Sequence, residues 1–141
     1  MSASREITLE CPSCKVSQTM TVYGSINATQ NPELRAELLE GKINIFQCKQ
    51  CDGKSFVDTN FIYHDMRQEL LVMYQPWRAV EEEQFLLQFD RKGNMKIPKG
   101  FDKPPDKGAY TLNPHIVFGM DELVRFIMFR ELLHAQETEL H

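Results

Sequence analysis

The chain holds no uninterrupted apolar run near the roughly 18 residues of a membrane-spanning helix. Its first ten residues contain none of the apolar stretch that marks a secretory signal. These absences predict a cytoplasmic protein that stays out of the membrane. Positive charge is not in excess either. Lys and Arg number 16 against 20 Asp and Glu, a net charge of −4, which speaks against a general nucleic-acid binder with its basic footprint. No phosphate loop, dinucleotide-binding glycine pattern or Ser-His-Asp order occurs. The expectation is therefore a protein that is not an enzyme, with no catalytic or cofactor-binding residue assigned. Internal repeats beyond a duplicated cysteine pair are missing, as is low-complexity sequence.

What is present is globular in character: 141 residues, 42% hydrophobic and 26% charged, the size of one ordinary domain or of a small module with an extension. The four cysteines are Cys11, Cys14, Cys48 and Cys51, two Cys-x-x-Cys pairs with none left over. In a reducing compartment such pairs form one metal site rather than disulfides. Thiolate is a soft, charged ligand that suits tetrahedral zinc. A two-residue gap turns both sulfurs of a pair toward one ion, and backbone N–H groups of the turn point at the first sulfur. Pro12 fits, because the useful donors lie one and two positions after it. The reading is one structural zinc ion held by all four sulfurs. Redox dithiols are the alternative, but they need a pair at a helix N-terminus, and strand-like or turn-like sequence follows both pairs. A catalytic zinc needs an open coordination position, which four cysteines close.

The pattern around the pairs predicts an α+β fold: a zinc-ribbon-like antiparallel β-sheet with an inserted short helix, then an α/β extension ending in a long C-terminal helix. Residues 5–10 and 16–23 alternate as strands, the second with Val16, Met20 and Val22 on its apolar face. Residues 24–30 read as loop. Asn31-Pro32-Glu33 opens a helix with Asn31 as N-cap, and Gly41 ends it in a left-handed conformation. This helix, 32–40, accounts for a separation between the pairs, residues 15–47, longer than the roughly 15–20 residues of the simplest ribbons. Strands are expected at 43–46, 55–57, 61–63 and 70–74, with His64-Asp65 as a turn. Together they predict an antiparallel meander over a first domain, residues 1–77.

Residues 78–141 read as an extension packed on that domain. Residues 85–89 suit either a strand or the end of a short helix. The segment 91–107 sets Arg91, Lys92, Lys96, Lys99, Lys103 and Lys107 against Asp102 and Asp106 among prolines and glycines, a basic, mobile loop. A short strand at 116–118 leads to a helix over 121–137 with Asp121 as N-cap. Its apolar residues, among them Phe126, Ile127, Phe129, Leu132 and Leu133, span more than one stripe. They predict a protein partner or a homodimer through this helix. Nucleic acid, with the basic loop as its contact, is the weaker candidate partner.

The remaining polar residues have plainer readings. Glu131 and His134 have the Glu-x-x-His spacing of di-iron bundles, but those sites need two copies and further carboxylates; the pair is read as a polar helix edge. His64 belongs to turn chemistry, His115 to a surface rim, and Trp77 to packing between the two halves.

Several motifs, taken in order, resemble the CpXC domain. They are Cys11-Pro12-Ser13-Cys14, Ser25-Ile26-Asn27, Asn31-Pro32-Glu33-Leu34, Leu38-Leu39-Glu40-Gly41 and Phe46-Gln47-Cys48. Tyr63-His64-Asp65, the strand ending at Pro76, His115-Ile116-Val117-Phe118 and Asp121-Glu122-Leu123 continue the likeness. The resemblance runs from about residue 7 to about residue 133. It implies a prokaryotic, zinc-ribbon-like protein and brings no catalytic residue with it. One departure stands out. Glycine often follows the second cysteine of a knuckle, whereas Lys15 and Asp52 stand here, so a looser second turn is expected.

Overall fold

The computed structural model describes residues 2–76, 81–96 and 110–140. The elements run β1 (Ala3–Glu10), β2 (Ser17–Asn27), α1 (Pro32–Leu39), β3 (Ile45–Gln47) and β4 (Lys54–Phe56), then β5 (Phe61–Asp65), β6 (Leu70–Tyr74), α2 (Glu83–Leu86), β7 (His115–Val117) and α3 (Met120–Leu140). The class is α+β, as the sequence indicates. Trp77 and residues 97–107 of the basic segment lie outside the described residues.

The sheet departs from a simple meander. Its order is β1-β2-β5-β6-β7, with β3 and β4 forming a separate two-stranded ribbon. The β1–β2 and β5–β6 pairs are antiparallel, whereas β2–β5 and β6–β7 are parallel. Parallel neighbours need a crossover of about a dozen residues or more. The stretches 28–60 and 75–114 supply two of them, the first carrying α1 and the β3–β4 ribbon. Sequence periodicity reports which residues share a face but not the direction of the neighbouring strand, so the parallel joins are invisible to it.

Strand β2 also runs further than its alternation suggests. Ser25, Ile26 and Asn27, expected in a loop, pair with Ile62, Tyr63 and His64 of β5. Ile26 is fully buried. Likewise His64 and Asp65 end β5 rather than forming a turn; the turn is 66–69. Buried Asp65 holds it, its Oδ1 accepting from the Arg67 and Gln68 N–H groups and its Oδ2 from Gln68 Nε2.

One face of the sheet carries the main core. Ile26, Phe61, Tyr63, Val72 and Val117 pack there with Leu38 of α1 and Leu123 and Ile127 of α3. A second, smaller cluster of Cys11, Phe46 and Cys48 takes in Leu9, Val16 and Met20. The knuckles therefore have packing of their own.

The helix termini partly follow expectation. Pro32 opens α1, and Gly41 closes it at φ +75°. Asn31 makes no side-chain cap; its Oδ1 accepts from Ser2 Oγ, and Asn27 instead accepts the N–H groups of Thr29 and Gln30. Helix α3 starts at Met120, and the Gly119 carbonyl accepts the Leu123 N–H. Asp121 thus sits in the first turn and is not the N-cap. Residues 85–89 resolve as the end of α2 followed by an isolated bridge from Phe89 to Met95. Among the described residues, no helix is long and apolar enough to cross a membrane.

Candidate metal centre

Both cysteine pairs sit in turns of the same construction. In the first, the Cys11 N–H donates to the Val16 carbonyl at 2.8 Å and the Lys15 N–H to the Cys11 carbonyl at 2.9 Å. In the second, the Cys48 N–H donates to the Gly53 carbonyl at 2.8 Å and the Asp52 N–H to the Cys48 carbonyl at 3.0 Å. Lys15 and Asp52 take the left-handed conformation, φ 67° and 59°, that glycine would adopt more cheaply. The expected looser second turn is not found. Backbone strain at one non-glycine residue in each turn replaces the glycine, and the hydrogen bonding of the turn is kept.

The two turns bring all four sulfurs together, each Sγ within 4.8 Å of the others. Two contacts cross between the knuckles: Cys14 to Cys48 at 3.4 Å and Cys11 to Cys51 at 3.6 Å. All four thiols are free. A tetrahedral ion with metal–sulfur bonds of about 2.3 Å sets its sulfurs about 3.8 Å apart, so the donor set fits one such ion. Cys11 and Cys48 are buried, Cys14 is half-buried and Cys51 is exposed, which places the site at the surface of its small core.

Backbone dipoles are aimed at the sulfurs. The N–H groups of Cys14 and Ser13 hold the Cys11 thiol down to about 6. Those of Cys51 and Gln50 likewise lower Cys48. Pro12 costs nothing in this arrangement, because the donors follow it. The second cysteine of each pair behaves oppositely. The Val16 N–H favours the Cys14 thiolate, but neighbouring sulfurs, Cys48 above all, raise it. The Gly53 N–H favours the Cys51 thiolate, but Cys11, Cys48 and Cys14 together push it up to about 12. Four crowded anions resist full ionisation, and a divalent cation at their centre relieves that repulsion.

Two side chains that periodicity did not single out tie the second knuckle to the sheet. Gln18 of β2 donates through Nε2 to the Gln47 carbonyl at 2.7 Å and accepts the Lys49 N–H at 3.1 Å. Asn44, buried and at φ 57°, accepts the Tyr23 N–H at 2.8 Å and donates to the Tyr23 carbonyl at 2.9 Å. A polar residue at an inward position (Gln18) and an Asn before a strand were the only available signals.

The other candidates fall elsewhere. Glu131 pairs with Arg35 of α1. The His64 ring hydrogen-bonds the Tyr110 hydroxyl. His115 stacks on Phe126, ring centroids 3.7 Å apart. Among the described residues, no other group of three or more His, Cys, Asp or Glu side chains converges as metal ligands. Glu131 is thus engaged by the Arg35 guanidinium.

Fold and site together define a small α+β protein built around a zinc-ribbon-like four-cysteine cluster. The family model described as CpXC protein matches residues 9–137, nearly the whole chain. The chain belongs to the CpXC family. Comparison with curated proteins and with solved structures finds no match.

Proposed function

We propose that the chain is a structural zinc protein acting as a non-enzymatic interaction module in a reducing compartment. The observation that carries this reading is the convergence of four free sulfurs from two turns within 4.8 Å of one another. Four thiolates close a tetrahedral shell and leave no position for a reacting water. Zinc is the ion that soft sulfur donors in this geometry favour. Sulfur contacts of 3.4 and 3.6 Å join different knuckles, an arrangement that suits a cross-link between two turns.

The interaction surface is the outer side of α3, where Met128, Phe129, Leu132 and Leu133 are exposed. Their spacing is symmetric about the middle of the row. An antiparallel second copy would set Met128 against Leu133 and Phe129 against Leu132, the self-complementary pattern of a two-fold interface. The test is elemental analysis of freshly purified protein together with light scattering. About one zinc per chain and a dimer that Phe129→Ser dissociates are expected. Metal-free protein whose circular dichroism ignores a strong chelator would overturn the zinc reading, and a strict monomer would overturn the interface.

A further inference from the structure

At the far end of the sheet from the cysteines lies a polar cleft of 260 Å³ between the β5–β6 turn and α3. It is lined by Arg67, Gln68 and Glu69 of the turn and by Arg130, Leu133 and His134 of the helix. The eleven residues of β2 separate it from the first knuckle, roughly 35 Å of extended chain. It lies away from the metal centre and meets the outer face of α3 only at Leu133.

Among the described residues its charges are out of balance. Arg35, in the adjoining hollow, is satisfied by Glu131. Asp65 is buried and committed to the turn it holds. Arg67 and Arg130 make no ion pair among the described residues. Two guanidiniums from separate elements thus line one cleft, with exposed Glu69 at its rim as the opposing carboxylate. The hydroxyl of Tyr63, buried beside these charges, also has no hydrogen-bond partner among the described residues.

We propose that this cleft binds a phosphate monoester of a small organic alcohol. Each guanidinium presents a planar fork of donors. A carboxylate has two oxygens and one charge, enough for one fork. A phosphate monoester has three terminal oxygens and, with its second pKa near roughly 6, close to two charges at neutral pH, so it can satisfy both arginines at once. The volume exceeds that of several waters at about 30 Å³ each, leaving room for the ester oxygen. Past Arg130 and Glu69 a second cleft of 330 Å³, bordered by Leu71, Tyr110 and Phe126, adjoins and offers space for the organic group.

The test is calorimetric titration of phenyl phosphate into the zinc-loaded full chain, with benzoate in parallel. Saturable one-site binding of phenyl phosphate is expected, with benzoate much weaker. Loss of either fork, in Arg67→Gln or Arg130→Gln, should weaken binding by roughly tenfold with an unchanged melting temperature. Amide shifts on adding phenyl phosphate to the unaltered chain should centre on Gln68 and His134, a readout that does not depend on the variants folding. No saturable binding at millimolar concentration, undiminished affinity in the double variant, or shifts centred elsewhere would overturn the site. Equal binding of benzoate would overturn the assignment to phosphate.

Discussion

Lys15 and Asp52 occupy the same place in the two knuckles, each four positions after the first cysteine of its pair and each left-handed, at φ 67° and 59°. Neither is glycine, yet both turns close with matching hydrogen bonds. Left-handed conformations cost ordinary residues about 1–2 kcal/mol. Lys15→Gly is therefore expected to stabilise the metal-loaded protein by up to about 1 kcal/mol, the relief offset by glycine's greater freedom when unfolded. Lys15→Val should destabilise it. Chemical denaturation of both variants checks the sign.

Asn44 acts as a one-residue strand neighbour to Tyr23, satisfying both of its backbone groups from a buried position. Asn44→Ala removes both bonds and places alanine in a left-handed conformation. A loss of about 2–4 kcal/mol is expected. Asn44→Gly relieves the backbone strain but not the missing bonds and should recover part of it. Denaturation midpoints of the two variants separate the contributions.

Gln18 grips the second knuckle from both sides of Cys48. Gln18→Ala should cost about 1 kcal/mol and speed hydrogen exchange at the Lys49 amide, which loses its acceptor. The Asp52 amide, bonded to the Cys48 carbonyl, should change less. Exchange measured by NMR on zinc-loaded protein decides.

The cysteine cluster and the main core are separate sets of residues. Removing the metal is therefore expected to melt the part that depends on it. Exchange protection should vanish at Phe46 and Ser55 of the ribbon and persist at Val72 in the middle of the sheet. Cys48→Ser should reproduce this pattern. Uniform protection before and after chelation would show that the ion does not hold the ribbon.

Ile127 and Phe129 stand two residues apart on α3 with opposite fates, one fully buried and the other 55% exposed. Ile127→Ala should lose about 2–5 kcal/mol through the cavity it leaves in the main core. Phe129→Ser should change the stability of a single chain by no more than about 0.5 kcal/mol and act on association instead. Thermal melts at several protein concentrations distinguish the two.

Much of the local structure was legible. The apolar face of β2, the proline start and glycine stop of α1, the short strand before α3 and the turn that each Cys-x-x-Cys pair makes all follow from residue type and spacing. These features are decided within a few residues, by dihedral preference, period and ligand chemistry. The pairing of Ser25 with Ile62 and of Met73 with Ile116 was not legible. A strand's direction relative to its neighbour depends on how the intervening chain returns. The same holds for Asn44 and Gln18, whose bonds reach across 21 and 29 residues.

The sequence by itself determined that two short turns would present sulfur in pairs, because a two-residue gap leaves a Cys-x-x-Cys little other geometry and no further cysteine competes. Only the tertiary structure decided that the pairs meet, that a mixed sheet lies behind them, and that Arg67 and Arg130 line one cleft. Each of these rests on segments far apart in the chain, and their approach is fixed by the burial of Ile26, Tyr63, Val117 and Leu123 in one core.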